Sequence, residues 1–215
     1  MKRILLILFT CLFVFNLFGR DSISTRYADG EFVSYCSVET NASLAVADEV
    51  VDDLIDQFRG NPEQLFEWAF KGLGKQTGDD SKNEVLLDLK LATFDKMTGK
   101  SHLLTDIVVP GFRTYKDVSI DSRVTKTKLK NGGTRVFVDI FYSNLLLKKA
   151  YGTFFVTPIA PNKVMLSMRI HIRFGWFFNI FITQKRYRDI VEWRMQGFMN
   201  NMRDEAERRV ITKEK

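Results

Sequence analysis

Two cysteines and two histidines are all that this 215-residue chain brings to thiol or imidazole chemistry, and the shortage excludes much. Cys11 lies inside the apolar N-terminal stretch, so Cys36 is the lone cysteine of the remaining chain. One thiol makes no internal disulfide, and no disulfide framework is encoded. Cys36 falls in a strand-like run and reads as a small buried hydrophobe rather than a nucleophile. No serine has a recognisable nucleophile setting either. His171 alternates with Arg169 and Arg173, which puts it on the polar side of a strand. A catalytic role would require it to meet a carboxylate such as Asp139. No catalytic residue, metal site or cofactor is assigned, and the reading leans away from an enzyme. No segment repeats, and no linker to a second domain is visible.

Also missing is an apolar run long enough to span a membrane. Ile4–Phe18 is fifteen residues, short of the ~20 a bilayer requires. With Lys2 and Arg3 before it and the small Gly19 after it, the stretch reads as a signal peptide over 1–19, followed by one domain over 20–215. The chain is then exported, to a periplasm or outside the cell. The alternative is an uncleaved anchor. A lipoprotein, which would need Cys11 as its acylated residue, is disfavoured by Thr10 beside it and by the short apolar run ahead of it. The net charge of +6 falls by two once Lys2 and Arg3 go, which is a modest surplus. An exported protein has little access to nucleic acid, so a pI of about 9.3 points at anionic surfaces at most.

Two local patterns imitate known sites and fail on detail. Asp48, Glu49, Asp52, Asp53 and Asp56 crowd one helical face, but they lack the alternating loop spacing and the glycine of a calcium loop. They read as a solvated face. Gly72–Gly78 resembles a phosphate-binding loop, yet Ala69 and Gln76 occupy two of its required positions and a helix precedes it.

What is present is clear periodicity. Val164, Leu166, Met168, Ile170, Ile172 and Phe174 alternate with polar residues, as a strand with one buried face requires. Gly175 ends that pattern, and an aromatic cluster runs on through Ile182. From about Gln184 the period becomes helical. Tyr187, Val191, Met195, Phe198, Met202 and Ala206 share one side of a helix of roughly 26 residues, ~39 Å long.

Ahead of these, Arg20–Arg26 reads as a frayed polar start, and Glu31–Val38 as a strand with Phe32, Ser34, Cys36 and Val38 on one side. Thr40 or Asn41 is the expected N-cap of a helix carrying Leu44, Ala47, Val50, Val51, Leu54, Ile55 and Phe58. Gly60 stops it, and Asn61-Pro62-Glu63-Gln64 starts a second helix reaching Leu73. Further strands lie near 85–91, 102–109, 115–129, 136–142 and 147–156, with a tight hairpin at Asn131-Gly132. Helices segregated at the two ends of antiparallel strands define an α+β fold.

This element order resembles the helix-grip fold of the START-like lipid-transfer and polyketide-cyclase superfamily. The resemblance spans about 30–209 and rests on element order, with no short motif. It implies a curved antiparallel sheet of about seven strands gripping the C-terminal helix around a hydrophobic cavity. The expected cavity wall is Met195, Phe198, Met199 and Met202 on the helix, faced by Leu166, Met168 and Ile170 on the last strand. Gly197 would let an occupant approach the helix backbone.

The function expected is a binding protein for an apolar or amphipathic, lipid-like small molecule. An envelope interaction protein is the second reading, because the aromatic cluster is bordered by Arg169, Arg173, Lys185, Arg186 and Arg188, which suits peripheral membrane contact. A cyclase- or hydrolase-like enzyme on the same fold is the third.

Overall fold

A computed structural model describes residues 21–60, 64–65, 67–73, 86–95, 97–109, 113–144, 147–175 and 183–213. The expected signal peptide, the glycine-rich stretch beyond residue 73 and the aromatic cluster at 176–182 lie outside the described residues.

Two of the hairpin turns are set by residues that accept positive φ. At Asn131-Gly132-Gly133, Gly132 has φ +82° and Leu129 N–H donates to the Gly133 carbonyl at 2.8 Å. A Cβ on Gly133 would lie 2.5 Å from the Val156 carbonyl oxygen, so only glycine fits that position. Asp29 and Gly30 (φ 54° and 75°) form an equally tight turn between β1 (Ser22–Ala28) and β2 (Glu31–Thr40). That pairing corrects the expectation of a frayed start. Ser22–Ala28 is a strand because β2 supplies it with a complete ladder from Ser22↔Ser37 to Ala28↔Glu31.

After β2 comes α1 (Leu44–Gly60). Its N-cap is Ser43, not Thr40 or Asn41. The Ser43 carbonyl accepts from Ala47 N–H at 3.0 Å and its Oγ accepts from Val46 N–H at 3.4 Å. Thr40 is still in the β2 ladder, and Asn41 donates to Glu207 instead.

The expected second helix is also corrected. Among its described residues the chain makes single turns, with Glu67 N–H donating to Gln64 O and Leu73 N–H to Phe70 O. Trp68 Nε1 donates to Gln57 at 2.6 Å, and Asn201 Nδ2 donates to the Ala69 and Lys71 carbonyls. Tertiary anchors therefore hold the segment in place of a regular helical ladder.

The remaining strands are β3 (Leu86–Asp95), β4 (Lys100–Val109), β5 (Arg113–Lys128), β6 (Thr134–Ser143), β7 (Leu147–Ala160) and β8 (Lys163–Phe174), followed by α2 (Gln184–Lys213). All eight strands form one antiparallel sheet in the order β1-β2-β8-β7-β6-β5-β4-β3. The last strand thus sits inside the sheet, between β2 and β7.

Both helices pack on the same face. α2 lies over β2, β1 and β8, while α1 lies over β7 and β8 and reaches β3. Small side chains on β2 (Ser34, Cys36 and Val38, all 0% exposed) allow Met199 and Met202 to seat fully against the sheet. Each such burial is worth about 1.5–3 kcal/mol.

Charged pairs then join the two helices. Arg209 of α2, largely buried, reaches Asp53 of α1 and Glu205 at 2.7 Å each, and Glu49 at 3.7 Å. Asp52 pairs with Lys126 and Asp48 with Lys128 of β5. The acidic face of α1 is therefore a set of ion pairs. Among the described residues no group of three or more metal-ligating side chains could hold an ion, and no helix is long and apolar enough to cross a membrane.

Candidate functional site

On the concave face the alternation of β5 through β8 presents Val124, Val136, Val138, Phe154 and Met168 in one patch. α1 crosses above this patch with Val51, Leu54, Ile55 and Phe58, one side of the helix at spacings of three and four. Leu65, Phe70 and Phe198 of α2 complete the lining. Between them is a cavity of about 190 Å³ lined entirely by these apolar side chains.

Phe198 sets the boundary between cavity and core. Its ring is tilted 30° against Phe70 at 5.4 Å and meets Phe154 edge-on at 6.4 Å. On its core side, Met195 is 3% exposed and Met199 and Met202 are 0% exposed.

The structure thus brings together two of the residues expected from sequence, Met168 and Phe198. Met195, Met199, Met202 and Leu166 lie in the packed core beside the cavity, and Ile170 packs against that core. The backbone approach at Gly197 is made by Leu73, whose Cδ2 would be 2.5 Å from a Cβ there. The helical wall comes mainly from α1, because α2 sits over the β1–β2–β8 end of the sheet. Residues that sequence reasoning left out of the wall are Val51, Leu54, Ile55 and Phe58. Their signal was already visible as the apolar stripe of α1, without an indication of which strands it would cover.

Among the described residues no ionisable side chain lines the cavity. Both histidines meet carboxylates, but on the outer face of the sheet. His171 Nδ1 lies 2.7 Å from Glu31 Oε1, not beside Asp139, and its ring stacks on Tyr151 at 4.4 Å. The hydrogen bond from His171 is the main cause that holds the Glu31 carboxyl below its ordinary pKa, with Lys149 assisting. His102 Nδ1 lies 2.6 Å from Asp121 Oδ1. Cys36 is fully buried, and burial pushes its thiol pKa up to about 12. The described residues of the cavity wall carry no group that could move a proton or attack a carbonyl.

No protein-family model and no curated protein sequence matches this chain. Solved structures do resemble it in fold. The di-domain ARO/CYC protein StfQ from the steffimycin biosynthetic pathway superposes with a TM-score of 0.50 at 10% identity, over 84% of this chain and 52% of that one. A START superfamily protein from Mycobacterium smegmatis gives 0.47 at 10% identity, over 82% and 97% of the two chains. A STAR-related lipid transfer protein from Xanthomonas axonopodis gives 0.46 at 17% identity, over 86% and 98%. The fold is START-like helix-grip, with eight strands where about seven were expected.

Proposed function

We propose that this protein is an exported, non-enzymatic binding protein for a small apolar or amphipathic molecule held between α1 and the sheet. One observation supports the reading: a cavity of about 190 Å³ whose described wall residues are all apolar. Apolar cavities bind apolar guests, and an enclosed one of roughly 150 Å³ takes a benzene ring. Drug-sized pockets occupy roughly 300–1,000 Å³. The occupant is therefore a single ring or a short aliphatic segment, either as a whole ligand or as the apolar end of a larger one. A lipid-like guest would place one such segment here. Export rests on the basic start and apolar run of residues 1–19.

The test is toluene binding, read as a concentration-dependent rise in melting temperature and as perturbed methyl resonances. A guest that binds only the folded state must raise its stability. Val138→Phe, which fills the space from β6, should leave the protein folded and abolish the rise. If toluene does not raise the wild-type melting temperature, the cavity is not a binding site.

A further inference from the structure

We infer that the guest carries one neutral hydrogen-bonding group, a hydroxyl or a carbonyl, and that Ser101 and Ser122 receive it. This rests on the binding function proposed for the cavity and names the chemistry of the guest's far end. Ser101 and Ser122 are 2% and 3% exposed, and they stand directly opposite each other across β4 and β5. Neither Oγ has a hydrogen-bond partner among the described residues. A serine hydroxyl is one donor and two acceptors, and leaving it buried and unpaired costs free energy that a partner would recover. Two such groups in register on one face form a polar spot that the described fold does not use.

Their position relates them to the cavity. Ser122 precedes the cavity residue Val124 by two positions on the same face of β5, a distance of about 6.8 Å along the strand. On β6 the same step separates Ile140, opposite Ser122, from the cavity residue Val138. On the other side of Ser122, Ile120 packs against a second apolar cluster of Ile107, Tyr115 and Val118. The serines therefore mark a polar stop between two apolar regions. A ring in the cavity, extended by a substituent along β5, would bring one oxygen to this stop. A charged end group is disfavoured, because among the described residues no ionisable side chain lines the cavity to offset its desolvation.

The experiment compares toluene with p-cresol, which adds one hydroxyl, on the wild-type protein and on Ser101→Ala/Ser122→Ala. In the wild type, p-cresol should bind at least as tightly as toluene despite its better hydration. The double variant should lose about tenfold in p-cresol affinity, as expected for a lost buried hydrogen bond, and keep toluene within about twofold. Equal p-cresol affinity in both proteins, with toluene still bound, overturns this inference and leaves the cavity reading standing. Failure of the wild type to bind either probe overturns both. If the double variant does not fold, nuclear Overhauser contacts between p-cresol and the Ser122 β-protons in the wild type decide. Their absence, with p-cresol bound, means that water alone serves these hydroxyls and overturns the inference.

Discussion

Truncating Phe198 tests the wall and the core together, because its ring faces both. Removing such a ring loses about 1.5–3 kcal/mol of burial. It also removes two aromatic contacts, to Phe70 at 5.4 Å and Phe154 at 6.4 Å, each worth about 0.5–1.5 kcal/mol. Large aromatic truncations in cores cost about 3–5 kcal/mol in all. Phe198→Ala belongs in the upper half of that range, near ~4 kcal/mol, since one neighbour of the ring is already empty space and the site has little to collapse onto. For a domain of this size that is a fall of roughly 8–16 °C in melting temperature. Urea denaturation, read by tryptophan fluorescence and circular dichroism, measures it. Phe70→Ala/Phe198→Ala should then cost less than the two single changes together, because both remove the same contact. The variant should also admit naphthalene, which the wild-type space is too small to hold. A loss below about 1 kcal/mol would refute the reasoning, since the ring could then not be seated between helix and sheet.

Three further outcomes concern Cys36, Glu205 and the N-terminal stretch. With its thiol pKa near 12, Cys36 should resist iodoacetamide in the native protein and react fully in denaturant; fast native labelling would contradict its burial. Burial pushes the Glu205 carboxyl upward, but hydrogen bonds from Arg208 and Arg209 outweigh it and leave the pKa below the ordinary 4.5. The stability it contributes is complete above the unfolded value and is lost as pH falls through the folded one. Glu205→Gln should therefore flatten the acid limb of the stability profile, and an unchanged limb would show that the Arg209 junction does not carry it. Intact mass of protein from its native host should correspond to a chain starting near Arg20, and a retained Met1–Gly19 would sink the export reading.

The elements that sequence made legible are those whose pattern reports its own environment. β8 and α2 each bury one face against a single kind of neighbour, so a period of two and a helical stripe sufficed to place both. β1 was missed because Ser22, Ser24 and Arg26 alternate with Ile23, Thr25 and Tyr27, too polar a run to declare a strand without its partner. The N-cap moved by two or three residues because β2 continues through Thr40, a choice made by pairing to Val164 rather than by local propensity. The cavity wall was half legible for a related reason. Periodicity tells which side chains share a face, whereas the lateral position of each helix over the sheet depends on the sizes of residues on other strands. The small Ser34 and Cys36 on β2 draw α2 toward that edge and leave the middle of the sheet to α1.

The placement of β8 between β2 and β7 has a consequence for how the molecule is made. Phe32 pairs with Ile172 and Thr40 with Val164, so the ladder that unites the sheet links the first and last quarters of the chain. During synthesis the β1–β2 hairpin exposes one open edge and an uncovered apolar face until nearly everything else has emerged. Closing so long a loop is entropically costly and gives topologies of this kind slow folding. A chain joined in this way cannot complete its sheet until β8 has been made. For the same reason, removing β8 and α2 should leave no smaller folded unit, only an exposed hairpin edge prone to pairing with other chains.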